Sequence, residues 1–260
     1  MKEIKVRGIV LRENPMGDKD KRLVLLTREM GRITVLAKGA MGARSKYRAL
    51  TGVFSYVELV LTHGQTFYYI KEGSLIESFY SLRTDLFKLS YASWMLEVGE
   101  TFCLEGQENE ELLSMLLRGL LMETRAEEGM ESLPADVTVF RILAQNGFYP
   151  ELSRCRGELA HEDDIHDLSV DPVLFQPSVG GVFCSTCQRK ATVGAGIRIS
   201  PGALRALRYM IEQPPGKAYA FKVSEEVRKQ IHEAVTDYLA EQTEHGYTSL
   251  GFLGKITGSP

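Results

Sequence analysis

The sequence has few of the features that mark secreted, membrane-spanning or disulfide-stabilised proteins. Its 260 residues include only four cysteines, and their irregular spacing argues against a secreted disulfide framework. No apolar run approaches the length of a membrane span. The first residues, MKEIKVRGIV, lack the apolar core of a signal peptide. We therefore expect a cytoplasmic protein with no membrane partner.

The motifs of the common enzyme classes are also missing. The sequence has no GxxxxGK[ST] phosphate loop, no HExxH metal motif and no GxSxG nucleophile motif. His232 and Glu233 lack a second histidine at the required spacing, which favours an exposed helix face. The acidic run at 161–167 has no evident base or nucleophile beside it, which favours a solvated loop. We expect a protein that is not an enzyme.

The net charge of −3 conceals an uneven distribution of charge along the chain. Residues 1–80 contain 14 Lys and Arg against 8 Asp and Glu, a net charge of +6, and the remaining residues carry −9. A basic front and an acidic rear can bind different partners.

Hydrophobic periodicity separates a strand-rich front from a helical rear. Five short strand-like runs within residues 1–80, with glycines between them, predict a small closed barrel of the OB or SH3 type. A β-sandwich is the alternative, although five strands would be few for one. From Ser81 onward leucines recur at helical spacing and predict a helical bundle. The predicted class is multidomain α+β, an N-terminal OB-fold β-barrel followed by an α-helical domain.

The predicted boundaries divide the chain into four parts. Residues 1–80 form the OB-fold domain and residues 81–150 the first part of the helical domain. Residues 151–195 form an irregular insertion that carries cysteines, and residues 196–260 form the C-terminal helical part. Ser200, followed by proline, has the residue type expected of a helix N-cap.

A basic loop is the most informative segment of the barrel. The sequence LAKGAMGARSKYR, residues 36–48, carries Lys38, Arg44, Lys46 and Arg48 among small residues. Cations spaced in this way can follow a phosphate backbone and displace its condensed counterions. Because OB barrels bind single strands with their loops and strand face, we predict that these four residues bind DNA. The alternative is a solvated loop whose charges serve solubility.

Aromatic residues of the barrel are available for base stacking, but the sequence does not show which of them face outward. They are Tyr47, Phe54, Tyr56, Phe67, Tyr68 and Tyr69. A second cationic set, Lys19, Lys21 and Arg22, alternates with aspartates. That pattern is more typical of a turn than of a binding site.

Three stretches of the sequence resemble the RecO family of bacterial recombination mediators. The run GDKDKRLVLLTREMGRITVLAKGAMGARSKYR is similar to the front of that family. FRILAQNGFYPEL is similar to the helix and turn before the family's cysteine region, and GGVFCSTC to its second cysteine knuckle. The stretches occur in the family's order, and the resemblance extends over essentially the whole chain.

The resemblance implies a role in DNA repair and homologous recombination. Such a protein binds single- and double-stranded DNA and anneals complementary strands. It helps to load the recombinase onto DNA covered by single-strand-binding protein, together with a RecR-like partner, and it works at the nucleoid. None of these steps breaks a covalent bond.

The resemblance also implies a zinc-ribbon-like insertion, here degenerate, because the family places two CxxC knuckles around one zinc. The first knuckle reads CRGE in this chain, so Glu158 stands where the second cysteine would be. Glu158, His161 or His166 would complete the four ligands that zinc prefers. The predicted ligands of one structural zinc are Cys155, Cys184, Cys187 and His161. The alternative is a knuckle that has lost its metal and survives by packing.

Two other functions remain open. The chain could be mainly a protein-interaction scaffold whose acidic rear docks partners and whose DNA binding depends on a partner. It could also be an RNA-binding OB protein, although no sequence feature favours RNA. By resemblance, the acidic, apolar-ended tail of a single-strand-binding protein would bind the helices, where Arg118, Arg125 and Arg141 are available.

Overall fold

The computed structural model describes residues 3–157, 167–190 and 194–257. The chain divides into two compact units, Met1–Thr124 and Arg125–Pro260. We call them unit 1 and unit 2. The first two long helices belong to the same unit as the strands of the front.

Unit 1 begins with a closed five-stranded barrel, as predicted. Its strands are β1 (Glu3–Met16), β2 (Asp20–Thr27), β3 (Gly31–Ala37), β4 (Tyr56–His63) and β5 (Tyr68–Glu77). They follow each other around the barrel in the order β1-β2-β3-β5-β4. All neighbouring pairs are antiparallel except β3 and β5, which run parallel. This arrangement is OB-like and confirms the predicted fold class.

Alternating apolar residues of the five strands fill the barrel, as strand geometry requires. The interior cluster includes Val6, Val10, Leu23, Leu25, Ile33, Val35, Val57, Leu59 and Leu61. Strand β1 is long enough to pair with β2 along one half and with β4 along the other. The register with β2 shifts between Val10 and Arg12, and a bulge of this kind lets a strand bend around a small barrel.

Strand β1 approaches β2 so closely at Gly8 that no side chain fits there. A Cβ atom on Gly8 would lie 2.5 Å from the carbonyl oxygen of Leu26 and 2.9 Å from Cγ2 of Thr27. The oxygen belongs to the backbone of β2, which is held by pairing to both neighbouring strands.

Two helices complete unit 1. Helix α1 (Leu86–Thr101) starts at Asp85, whose side chain accepts hydrogen bonds from the backbone N–H groups of Phe87 and Lys88. Helix α2 (Glu110–Thr124) packs against α1. Ion pairs join the barrel to this region, among them Arg28 with Glu110 at 2.8 Å.

Unit 2 combines a small sheet with helices. Its elements are α3 (Ser132–Gln145), β6 (Glu151–Cys155), β7 (Val173–Gln176), β8 (Gly181–Phe183), α4 (Ser185–Lys190), β9 (Ile197–Ile199), α5 (Pro201–Glu212), α6 (Glu225–Thr243) and α7 (Thr248–Thr257). The strands form one sheet in the order β6-β8-β7-β9. Helices α3, α5 and α6 pack on one another. None of the described helices is long and apolar enough to cross a membrane.

The predicted N-cap of α5 is confirmed. The side-chain oxygen of Ser200 accepts a hydrogen bond from the N–H of Ala203 at 3.2 Å, which satisfies one of the free donors at a helix start. Ser200 also contacts Gln230 of α6 through its own N–H at 2.9 Å, so the cap joins two helices.

We expect Gly8→Ala to destabilise the barrel. The new methyl group would meet backbone that cannot move without breaking strand pairing, and overpacking of this kind costs about 1–3 kcal/mol. Gly42→Ala is the matched control in unit 1, because the nearest atom to its Cβ, the Gly39 oxygen, lies at 3.4 Å. Chemical denaturation of both variants tests this. Equal stabilities of G8A and G42A would contradict the close approach.

Candidate nucleic-acid interface and cysteine cluster

The four predicted DNA-binding residues are all exposed on one connecting segment. Lys38, Arg44, Lys46 and Arg48 lie between β3 and β4. The segment is a chain of turns: Gly42 N–H donates to the Gly39 oxygen at 3.2 Å, and the N–H groups of Ser45 and Arg48 continue the series at 3.0 and 3.2 Å. Ala40 is buried in the barrel cluster. The cations are therefore displayed from a compact support.

The loop cations differ from most other barrel cations in their lack of acidic partners. Lys21 pairs with Glu13 at 2.5 Å, and Lys5 pairs with Glu58 at 2.9 Å. Within the described ranges, no carboxylate lies within ion-pair distance of any of the four loop cations. A cation without a carboxylate partner is free to neutralise a phosphate.

The turn between β1 and β2 holds this loop in place. A side-chain oxygen of Asp20 accepts a hydrogen bond from the N–H of Gly39 at 2.8 Å. The carbonyl oxygen of Lys19 accepts one from the N–H of Met41 at 3.0 Å. Of the three cations interpreted as a turn, Lys19 lies in the turn, whereas Lys21 and Arg22 lie in strand β2. The turn positions the basic loop.

Arg22 lies on the same surface as the basic loop, although its alternation with aspartates in the sequence argued against a binding site. Its strand neighbours Leu23 and Leu25 point into the barrel, so Arg22 points outward. It pairs across the strands with Leu36, which in turn pairs with Tyr69. The sequence could not reveal this row, because it depends on the register of three strands that are distant in sequence.

The six aromatic candidates have different environments. Tyr47 and Tyr68 pack against the barrel interior, and Phe54 is buried. Phe67 is half-buried in the turn between β4 and β5. Tyr56 lines a separate groove, described below. Tyr69 is half-buried on the outer face of β5, with the ammonium group of Lys38 4.8 Å from its ring centre. Tyr69 is thus the candidate that the fold places outward beside the basic loop.

Three cysteines meet in unit 2. The sulfur atoms of Cys155, Cys184 and Cys187 all lie within 4.8 Å of one another, and all three residues are buried. The backbone N–H of Cys184 donates a hydrogen bond to the sulfur of Cys155 at 3.2 Å. Burial, followed by the neighbouring thiols, raises the pKa of Cys187 to about 12. The structure thus brings together the three cysteines of the predicted metal site.

The cluster fits a metal ion in its donor set and in its spacing. Three sulfurs on one zinc, each about 2.3 Å from the ion, would be about 3.8 Å apart. Gly157 leaves room for this approach, since a Cβ there would lie 2.5 Å from the sulfur of Cys187. The predicted fourth ligand, His161, and its alternatives Glu158 and His166 lie outside the described residues.

The fourth cysteine stands apart from this cluster. Cys103 is buried just after α1, as predicted for a core thiol. Burial raises its pKa to about 12, so it stays a neutral thiol at physiological pH.

A groove in unit 1 combines arginines with apolar side chains. Its volume is about 370 Å³. It is lined by Arg7, Arg28, Tyr56, Glu110, Leu113, Ser114, Leu117, Arg118 and Leu121. Arg7 pairs with Glu58 at 2.7 Å, and Arg28 pairs with Glu110.

Unlike Arg7 and Arg28, Arg118 forms no ion pair with a carboxylate among the described residues. Its Nε atom is buried and donates to no acceptor among the described residues. Arg125 is exposed just beyond α2. Arg141 is buried, and its guanidinium donates to the carbonyl oxygens of Met210 and Gln213 at 2.6 and 2.9 Å. Arg141 holds α5 and is not available to a partner.

The prediction of an exposed helix face is confirmed for Glu233 but was wrong for His232. Its Nδ1 atom lies 2.8 Å from a carboxylate oxygen of the fully buried Asp136 on α3. Burial alone would lower the pKa of His232, but the attraction and hydrogen bond of Asp136 outweigh it and raise the pKa. The side chain therefore joins α6 to α3.

Comparison with known proteins covers nearly the whole chain. The family model described as recombination protein O N terminal matches residues 1–79, and the model described as recombination protein O C terminal matches residues 83–251. The chain is 31% identical to the DNA repair protein RecO of Acetivibrio thermocellus, over 97% of either chain. It is 30% identical to that of Symbiobacterium thermophilum, over 96% of either chain, and 29% identical to that of Desulforudis audaxviator, over 98% of either chain.

Proposed function

The chain belongs to the RecO family of DNA repair proteins, and we propose that it is a non-enzymatic recombination mediator that binds single- and double-stranded DNA and anneals complementary strands. It works with a RecR-like partner and helps to load the recombinase onto DNA covered by single-strand-binding protein. The observation that carries the proposal is the exposed basic loop 38–48, whose cations lack carboxylate partners among the described residues. The protein would act in the cytoplasm, at the nucleoid.

Annealing requires a surface that holds strands without reading their sequence. The proposed contacts are the side chains of Lys38, Arg44, Lys46 and Arg48 with phosphates, which carry no base information. Each contact releases counterions, so two strands of any sequence gain affinity for one surface. Because residues 81–260 carry a net charge of −9, repulsion would confine DNA to the barrel. The domain division at residues 1–80, 81–150, 151–195 and 196–260 stays a prediction.

We expect the double charge reversal Arg44→Glu/Arg48→Glu to weaken DNA binding and annealing. Loss of two phosphate contacts should reduce the slope of log affinity against log salt by about 1.4 on single strands and about 1.8 on duplex. Fluorescence anisotropy over a salt series measures the slope. Annealing of complementary oligonucleotides, with and without single-strand-binding protein, measures the activity.

The matched control is Arg205→Glu/Lys229→Glu, which makes the same change of net charge on exposed residues of unit 2. This control should retain the wild-type slope. If the loop variant keeps both slope and affinity, the loop is not the DNA site. If the wild-type chain binds no DNA at low salt, the scaffold function takes its place.

We propose that the insertion holds one structural zinc through Cys155, Cys184, Cys187 and His161. The convergence of three buried sulfurs supports the three cysteine ligands, and the bound ion would join β6 to the start of α4. Thiols must lose their protons to bind zinc, so zinc affinity should fall at low pH.

Metal analysis of the purified protein should find about one zinc per chain, the number that one four-ligand site holds. Cys187→Ser should lose this zinc, and Cys103→Ser should keep it because Cys103 lies outside the cluster. His161→Ala should lose zinc if His161 is the fourth ligand, whereas loss in Glu158→Gln or His166→Ala would reassign that position. A wild-type protein that takes up no zinc would contradict the proposal.

A second function, docking of protein partners, is favoured by the groove around Arg118. An acidic peptide with an apolar end is complementary to this groove. Its acidic groups can pair with Arg118, and its apolar end can pack on the leucines of α2. The tail of a single-strand-binding protein has this chemistry. We propose that this tail binds the groove in unit 1 and so brings the barrel to coated DNA.

Arg118→Glu should weaken binding of a labelled peptide with that acidic, apolar-ended sequence by about 30-fold or more. The reason is that removing one partner of a desolvated charge pair costs roughly 2 kcal/mol or more. Arg125→Glu is the matched control, because Arg125 is exposed and does not line the groove. Titration of both variants with the labelled peptide tests this prediction. Equal affinities of the two variants would show that the tail binds elsewhere.

A further inference from the structure

We propose that Tyr69 is a stacking platform for an unpaired base and that Lys38 covers this platform in the free protein. The inference rests on the DNA-binding function proposed above and deepens it. The loop cations bind any phosphate backbone, whereas the ring of Tyr69 would distinguish a single strand from a duplex.

The fold places the ring of Tyr69 on the outer face of the barrel. Its neighbours Tyr68 and Ile70 pack toward the interior, so the alternation along β5 turns Tyr69 outward. Leu36 lies directly across from it on β3, and Arg22 lies across from Leu36 on β2. An exposed arginine and a half-buried tyrosine therefore occupy one row across three strands.

Gly64 supports the ring. A Cβ atom on Gly64 would lie 2.4 Å from Cε2 of Tyr69, so the ring packs directly on the backbone of the β4–β5 turn. That turn is closed by a hydrogen bond from the N–H of Gly64 to the carbonyl oxygen of Phe67 at 2.9 Å. The ring is thus held in one position, as a stacking platform requires.

Lys38 occupies the place that a base would take. Its ammonium nitrogen lies 4.8 Å from the centre of the Tyr69 ring, and it has no carboxylate partner among the described residues. A cation over an aromatic face at an exposed site is held weakly. A bound nucleotide can replace this contact. Its phosphate can pair with the ammonium group of Lys38, and its base can stack on the ring of Tyr69.

Among the described residues, Tyr47 is the other barrel aromatic with a lysine over its ring, and it lacks the outward position of Tyr69. Tyr47 also carries a lysine, with Lys46 4.9 Å from its ring centre. However, Tyr47 packs against the barrel interior, and its hydroxyl donates to the carbonyl oxygen of Lys71 at 3.2 Å. Its ring is part of the wall, whereas the ring of Tyr69 lies on the outer surface.

Duplex and single strand should therefore respond differently to loss of the ring. Bases in a duplex are already stacked on each other and cannot reach Tyr69 without unpairing, whereas unpaired bases stack readily on aromatic side chains. Phosphates are present in both ligands. The ring should thus contribute to single-strand affinity alone, and the cations to both affinities.

The test compares Tyr69→Leu with Tyr69→Phe in the full chain, with oligothymidine and a blunt hairpin duplex as ligands. Tyr69→Leu should lower single-strand affinity roughly tenfold or more, the usual effect of removing one stacked ring. Its duplex affinity should stay within about twofold, and its salt slope should not change because the ring carries no charge. Tyr69→Phe keeps the aromatic face and should bind like the wild type. Tyr80→Leu removes an exposed tyrosine elsewhere in unit 1 and should have no effect.

A second measurement does not depend on tolerance of leucine at this position. Tyr69→Trp should bind oligothymidine with wild-type affinity, and stacking should quench its indole fluorescence. The chain's own tryptophan, Trp94, is buried in α1 and gives the background, which the wild-type protein measures.

The outcomes separate this inference from the function on which it rests. Wild-type DNA binding that fades with salt, together with unchanged single-strand affinity in Tyr69→Leu and no quenching in Tyr69→Trp, would overturn the stacking role alone. Equal loss of single-strand and duplex affinity in Tyr69→Leu would also overturn it. Absence of any DNA binding by the wild type would overturn both proposals.

Discussion

The parallel pairing of β3 with β5 is the constraint on which the candidate interface depends. It closes the barrel through Val35 with Tyr68 and Leu36 with Tyr69. Without this closure, the basic loop that leaves β3 would have no fixed relation to the aromatic residues of β5. A parallel pair needs a long connection, and here that connection contains the loop and β4. The segment that displays the cations is thus the same segment that barrel closure requires.

The support of the loop explains how a polar segment can be compact. Ala40 anchors it in the barrel cluster, and Asp20 accepts the N–H of Gly39. These contacts hold the loop backbone against the barrel and satisfy its hydrogen-bonding groups, so the lysine and arginine side chains remain exposed to solvent. The loop cations consequently differ from Lys5 and Lys21, whose carboxylate partners balance their charge. Charge without a partner, on a fixed backbone, distinguishes a binding surface from an ordinary solvated face.

Unit 2 is organised by polar contacts at helix ends and by the cysteine cluster. Ser200 starts α5 and bonds Gln230 of α6, while Arg141 of α3 binds carbonyl oxygens at the end of α5. Near β6 and β8, the sulfur atoms of three buried cysteines lie close together. A zinc ion there would supply what the short strands cannot, because strands of three to five residues bury little apolar surface.

The sequence by itself determined the class of fold, the basic loop, the cap of α5 and the three cysteines of the cluster. Each is a local pattern, because period, spacing and residue type do not depend on distant contacts. Only the tertiary structure decided which aromatics face outward, since the outward row of Arg22, Leu36 and Tyr69 depends on strand register. It also decided that Arg141 and His232 are committed to buried partners, because pairing across helices leaves no mark in either helix's own sequence.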